Sequence, residues 1–141
     1  MTVVPISIGV VCSIALLVWM TYFMLGCLPL LILKHDTPVD SRFIRGFFNV
    51  YYRVLMGIAA VGGVGFAFSD RRFMAVVMAC IAVIGFAARR TIVARMDRLR
   101  STMTATDALS IRRFRQLHVT GIMLNVVQLV GLGLAITRIE F

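Results

Sequence analysis

Long apolar stretches alternate with short polar connections along this chain. The first stretch runs from Ile6 to Leu33 without a charged residue. A helix rises about 1.5 Å per residue, and about 20 residues cross the hydrocarbon of a bilayer, so this stretch spans with residues to spare. Pro29 accounts for the surplus, because proline removes a donor and kinks or ends a helix. The stretch is too long for the apolar centre of a secretory signal, and Met1–Pro5 carries no basic residue ahead of it. Trp19 and Tyr22 are candidates for the membrane interface. Lys34–Arg42 (KHDTPVDSR) is polar, contains Pro38 and reads as a loop. The second stretch, about Phe43 to Phe68, is interrupted only by Arg45, Asn49 and Arg53, and Ser69–Arg72 reads as a short turn.

The third stretch is apolar from Phe73 to Ala88, which is short for a span. Its helical spacing continues through Ile92, Val93, Met96, Leu99 and Met103, which predicts one helix that leaves the membrane near Arg89. Thr104–Asp107 reads as a helix start, with Thr104 or Thr106 as cap and Asp107 in the first turn. The last helix then passes Ile111, Phe114 and Leu117 and spans from about Gln116 to Thr137. The expected fold is all-α, a single-domain integral membrane four-helix bundle. Its spans are about 6–30, 44–68, 73–89 and 116–137. A cytoplasmic helical hairpin, 89–115, extends spans three and four.

Composition agrees with this pattern. Of 141 residues, 60% are hydrophobic and 15% charged, whereas soluble domains are about 45–50% apolar and about 25% charged. A chain this short has no soluble core able to hide that much apolar surface. A soluble domain, a disordered segment and a fibrous repeat are thereby excluded. The net charge of +9 changes the picture through its placement rather than its size. Lys34 is the only lysine, and the other cations are arginines. The first and third connections carry Lys34, Arg42 and Arg45, then Arg89, Arg90, Arg95, Arg98, Arg100, Arg112, Arg113 and Arg115. The opposite side carries Arg71, Arg72 and Arg138. The positive-inside rule places the first group in the cytoplasm and both termini on the periplasmic side of a bacterial inner membrane. The arginines of 89–115 are expected to contact anionic lipids of the cytoplasmic leaflet, or a partner protein. Nucleic acid is not an expected partner, because no basic stripe is interleaved with base-stacking aromatics.

Polar residues inside a span are costly in lipid and should face the bundle. His118, Gly121, Asn125 and Gln128 share one face of the fourth span. Arg45, Asn49, Tyr52 and Arg53 lie close to one face of the second. Arg53 and Asn125 are expected at matched depth, about 10–13 Å from the cytoplasmic side. The two faces then form one interior cluster of Arg53, Tyr52, Asn49, His118, Asn125 and Gln128. Two uses are open: interhelical hydrogen-bond glue, or a ligand site for a lipid phosphate, haem propionate or quinone carbonyl held by Arg53. Asp36 or Asp40 would neutralise Arg53 if the first loop folded inward, and Arg53 can also snorkel. His35 and His118 are weak candidates for a metal or bis-histidine haem site, since their spacing matches no metal motif. Cys12, Cys27 and Cys80 form no C-x-x-C pair and read as small packing residues. Ala59, Gly63 and Ala67, with Gly62 and Gly65 beside them, permit close helix approach, either within the bundle or to a partner span.

Two segments resemble a known family. Arg113-Phe114-Arg115-Gln116-Leu117-His118, followed by Gly121 and Leu124-Asn125, is similar to an F-x-x-L/Y-H-G-x-S-x-x-x-N signature. That signature belongs to small bacterial four-span membrane proteins of unknown function, with small eukaryotic transmembrane relatives. Phe47-Phe48-Asn49-Val50-Tyr51-Tyr52-Arg53 resembles the same family's L-F-P-x-Y-Y element. The likeness covers roughly Phe43 to Leu134. Asn49 stands where the family usually has proline, and Val119-Thr120 interrupts the His-Gly step. The layout is also similar to anthrone-oxygenase-like proteins and to four-span bacterial protoporphyrinogen oxidases, whose characteristic His and Lys positions are absent here. The resemblance implies four spans and a shared place for Tyr52, Arg53, His118 and Asn125. It implies no activity.

No G-x-S-x-G, H-E-x-x-H, phosphate loop or carboxylate pair occurs in the chain, which points away from an enzyme. The leading expectation is a non-enzymatic accessory or scaffolding subunit of a larger inner-membrane complex. The second is a redox protein holding haem or quinone at spans two and four. The third is a small transporter, weakened by the lack of intramembrane carboxylates and inverted repeats.

Overall fold

Helices form wherever the apolar runs predict them. The computed structural model of the chain describes residues 3–30, 38–102 and 107–138. It contains α1 (Val3–Leu30), α2 (Pro38–Phe68), α3 (Arg72–Ala88), α4 (Ala94–Thr102) and α5 (Ala108–Ile136), with no strand among the described residues. A π-helical turn at Arg89–Val93 joins α3 to α4 without a break in the rod. Four rods, Val4–Leu30, Ser41–Phe68, Arg72–Thr102 and Ala108–Ile136, are each long and apolar enough to cross a membrane.

The rods close into a ring. α1 and α3 each pack on both α2 and α5, so α2 and α5 stand diagonally and meet through side chains at the centre. The buried stripe of α2 is Ile44, Phe48, Tyr51, Tyr52, Leu55, Ala59 and Phe66. That of α5 is Phe114, His118, Gly121, Ile122, Asn125, Gln128, Leu132 and Ala135. The outer faces are as apolar as the inner ones. Val11, Val18 and Leu25 of α1, Val61 and Phe68 of α2, Val76 and Val83 of α3, and Val127 and Leu134 of α5 all stand exposed. Exposed apolar surface on every long rod far exceeds the isolated patches of a soluble monomer.

Local signals set the boundaries, some differently from expectation. α1 reaches Leu30 and holds Pro29 within its last turn of described residues. Residues 38–42, inside the segment expected to be loop, are already helical and belong to α2. Asp107, expected in the first turn of α5, is instead its cap, and its carboxylate accepts from the Ser110 N–H at 3.1 Å. Thr104 and Thr106, the expected caps, lie outside the described residues. Hydrogen bonds from the Ser110 hydroxyl and N–H hold the Asp107 carboxyl below the usual carboxylate range. The cap's contribution is therefore complete above the ordinary carboxylate pKa and fades as pH falls through the lowered one. Asp70 sits at φ 57° in the tight turn between α2 and α3, a conformation that aspartate tolerates.

The expected hairpin is not a free projection. Ile44 of α2, Met96 of α4 and Phe114 of α5 are all fully buried, so the core continues past Arg89. Trp19 is not a simple interface residue either. It is half-buried, and its indole N–H donates to the Tyr51 carbonyl at 3.2 Å.

Small residues bring α1 and α2 together. Gly62 and Gly65 of α2 are buried, and a Cβ on Gly62 would stand 2.8 Å from the Cβ of Cys12. Gly63 faces Met78 of α3 instead, and Ala67 is exposed. This close approach serves packing inside the bundle. A methyl at position 65 would meet backbone, 2.9 Å from the Pro5 oxygen and 3.0 Å from the Gly9 nitrogen. Gly65→Ala is therefore expected to force the helices apart and cost about 1–3 kcal/mol. Gly131→Ala, where nothing lies within 4 Å, should cost nothing. Unfolding of both variants in the same detergent checks the contrast.

Candidate functional site

Two polar groupings occur where one was expected. The first lies at the bundle centre. The Asn125 carboxamide oxygen on α5 accepts from the Tyr51 hydroxyl on α2. Its amide nitrogen donates to the Met20 carbonyl on α1 at 3.1 Å. One residue thus ties three helices. Aromatic rings surround this junction. Tyr51 stacks on Phe23 at 3.7 Å between centroids and on Trp19 at 6.5 Å. Phe48 meets Phe23 edge-on at 5.0 Å and the His118 imidazole edge-on at 5.4 Å. Gly121 leaves room for the Phe48 ring, whose edge a Cβ at that position would overlap. One turn beyond Asn125, the Gln128 amide donates to the Ile81 carbonyl of α3 at 3.4 Å. Asn125, His118 and Gln128 are at most 5% exposed.

The second grouping flanks the bundle between α2 and the α3–α4 rod. Arg45 and Asp97 form a two-point ion pair, Nη2 to Oδ2 at 2.8 Å and Nε to Oδ1 at 2.6 Å. Both side chains are about one-third exposed, 35% and 37%. The Arg89 Nε–H donates to the Asn49 oxygen at 3.0 Å. Arg89 is the first residue of the π turn. A cleft of about 210 Å³ opens here, lined by Arg45, Asn49, Arg89, Arg90, Val93, Ala94 and Asp97.

These positions divide the six residues expected to cluster. His118, Asn125 and Gln128 share the interior face of α5 as expected. Tyr52 is buried beside Tyr51 and Phe48, and its hydroxyl has no hydrogen-bond partner among the described residues. Asn49 turns instead to Arg89. Arg53 is exposed on the outside of α2, with no hydrogen bond or ion pair to a described residue. The physical reason is helical drift. Each i+4 step overshoots a full turn by about 40°, so Arg53 stands about 80° further round than Arg45 and leaves the core. Tyr51, at i+3 from Phe48, stays on the inward stripe and takes the place expected for Arg53 opposite Asn125. The alternation of buried Ile44, Phe48, Leu55 and Ala59 in the sequence carries that signal. The Arg45–Asp97 pair was not anticipated, although both residues fall at the same end of the expected topology.

His35 and Asp36, and the side chain of Asp40, lie outside the described residues. No group of three or more His, Cys, Asp or Glu able to hold a metal occurs among the described residues. Cys12, Cys27 and Cys80 are free thiols. Of the arginines expected to meet lipid or a partner, Arg90, Arg95, Arg98, Arg112, Arg113 and Arg115 are exposed, while Arg89 and Arg100 are half-buried. Arg90 also lies over the Phe86 ring at 5.1 Å.

Compared with protein-family models, curated proteins and solved structures, the chain matches none. The likeness of its second and fourth spans to the four-span family thus rests on the short motifs alone.

The chemistry available at the centre is hydrogen bonding between helices in a dry interior. No carboxylate is among the buried polar residues described, which are Ser13, Ser41, His118, Asn125 and Gln128. A ranking follows for stability in detergent. Asn125→Leu should cost about 1–3 kcal/mol, because it strands the buried Tyr51 hydroxyl. Asn49→Ala, at the half-exposed flank, should cost about 0.5–1 kcal/mol, and Arg53→Gln less than about 0.5 kcal/mol. Thermal or denaturant unfolding of the three variants gives the order.

Proposed function

We propose that this protein is a small, non-enzymatic, multi-pass protein of a bacterial inner membrane that serves as an accessory or scaffolding subunit of a larger assembly. The carrying observation is that four polar side chains at and beside the bundle centre bond from one helix to another. Asn125, Tyr51, Gln128 and Trp19 are each used to connect two rods. Such bonds fix which faces meet rather than present reactive groups. The apolar outer faces support immersion in lipid. An apolar groove of about 400 Å³ between α1 and α2, lined by Pro5, Ile8, Ala60, Val61, Val64, Gly65 and Phe68, offers a packing surface for a further span. Arginines gather at the ends of α4 and α5, and by the positive-inside rule this end faces the cytoplasm with both termini periplasmic.

A haem- or quinone-binding protein is the second reading, favoured by one observation. The buried Tyr52 hydroxyl lacks a partner among the described residues, and the Tyr52 and His118 rings both pack on Phe48. A bound carbonyl would satisfy it. The absorption spectrum of the purified protein separates the readings. A Soret band or a quinone band that disappears in Tyr52→Phe or His118→Ala favours the second reading, and a featureless spectrum favours the first.

Orientation is checked by labelling, with Cys12, Cys27 and Cys80 replaced by alanine. A thiol at Asp70→Cys should react with a membrane-impermeant maleimide on intact cells. A thiol at Ser101→Cys should react only after permeabilisation. The reverse pattern would invert the proposed topology. Extraction in mild detergent tests the subunit role, and migration only as a lone monomer would contradict it.

A further inference from the structure

We infer that the cleft between α4 and α5 is a binding site for an anionic glycerophospholipid carrying two phosphodiesters. This deepens the proposed membrane placement and rests on it. The cleft holds about 480 Å³ and is lined by Arg95, Arg98 and Leu99 of α4 and by Arg113, Gln116, Leu117 and Thr120 of α5. A second hollow, lined by Arg112, Arg115, Gln116, Val119 and Thr120, adjoins it. Gln116 and Thr120 form the ridge that both share. Two cationic hollows astride one ridge match a headgroup with two phosphates joined by a short bridge.

Charge and shape argue for this occupant. Arg95, Arg98 and Arg113 make no ion pair among the described residues. The carboxylates nearest in sequence are already engaged: Asp97 pairs with Arg45 on the far face of α4, and Asp107 caps α5, where the Arg113 charge acts on it without forming an ion pair. Guanidinium groups bind phosphate oxygens through two parallel hydrogen bonds, so three around one hollow form a phosphate cradle. The floor is apolar, formed by Leu99 and Leu117. A free phosphate has no use for such a floor, whereas the glycerol and upper acyl carbons of a lipid do. Below the second hollow, which Val119 lines, the exposed residues Val119, Met123, Val127 and Val130 run down α5 at helical spacing. They offer an acyl chain a continuous apolar track into the membrane. Basic pockets between helices at a cytoplasmic surface bind such headgroups by this logic.

Native mass spectrometry of the full chain, delipidated in detergent, tests the inference. The probes are a two-phosphate tetra-acyl glycerophospholipid, a single-phosphate anionic phospholipid and inorganic phosphate. The wild-type chain should bind the two-phosphate lipid at a concentration at least about tenfold lower than the single-phosphate lipid. The triple variant Arg95→Gln, Arg98→Gln, Arg113→Gln should lose that preference. All three side chains are exposed, so the bundle should tolerate the change. The control Arg71→Gln, Arg72→Gln, Arg138→Gln removes the same charge from the opposite end and should keep it. Equal preference in the triple variant and the control would overturn the site, as would equal affinity for the two lipids or displacement of the lipid by millimolar phosphate. Labelling of the triple variant at position 101 reads topology separately, so a failed site and a failed orientation are distinguishable.

Discussion

Asn125 is the joint on which the bundle turns. Its carboxamide has one strong acceptor and one donor pair, and it spends both across helix boundaries, toward Tyr51 and toward the Met20 carbonyl. In a dry interior a carboxamide cannot fall back on water. An alternative helix rotation would leave two or three polar groups stranded, each at a cost of about 1–3 kcal/mol. Leucine and valine surfaces give no such discrimination when the surroundings are as greasy as the helices themselves. The apolar residues therefore supply contact, and this residue supplies choice.

Much of the remaining architecture follows from that choice. With Tyr51 directed at Asn125, α2 presents its aromatic stripe to α1, and Phe23, Trp19 and Phe48 stack around the joint. Gly121 must be small because the Phe48 ring occupies its Cβ position. The flank of α2 that carries Arg45 and Asn49 then faces the rod of α3 and α4. There Arg89, which opens the π turn Arg89–Val93, donates to Asn49. The two polar groupings do different work. The central one is sealed and selects geometry. The lateral one is half-exposed and contributes little energy, as partly solvated ion pairs do.

The fold was largely readable from the chain. Four largely apolar runs, cut by KHDTPVDSR, SDRR and the arginine-rich segment after Ala88, leave few alternatives to helices of spanning length. The inward face of α5 was readable too, because His118, Gly121, Asn125 and Gln128 recur with helical period. The partner of Asn125 was not, for two reasons. Arginine at 53 draws the eye as the costliest residue in lipid, but a long cation can sit on the outside and reach for the surface. Tyr51 and Tyr52 are neighbours about 100° apart, and the inward stripe is wide enough to bury both. Only the packing of α1 against α2 decides which hydroxyl reaches α5. The cap of α5 was misassigned by one to three residues, because threonine, serine and aspartate cap helices almost equally well. Function was the least legible, since side chains that hold helices together carry no signature of a substrate.

The central joint is open to direct measurement by a double-mutant cycle between Tyr51→Phe and Asn125→Leu, read from reversible unfolding in detergent or bicelles. A coupling energy of about 0.6–1.7 kcal/mol is expected, the range found for hydrogen bonds between membrane helices. A coupling indistinguishable from zero, or an equally large coupling when Arg53→Gln replaces Tyr51→Phe, would contradict it.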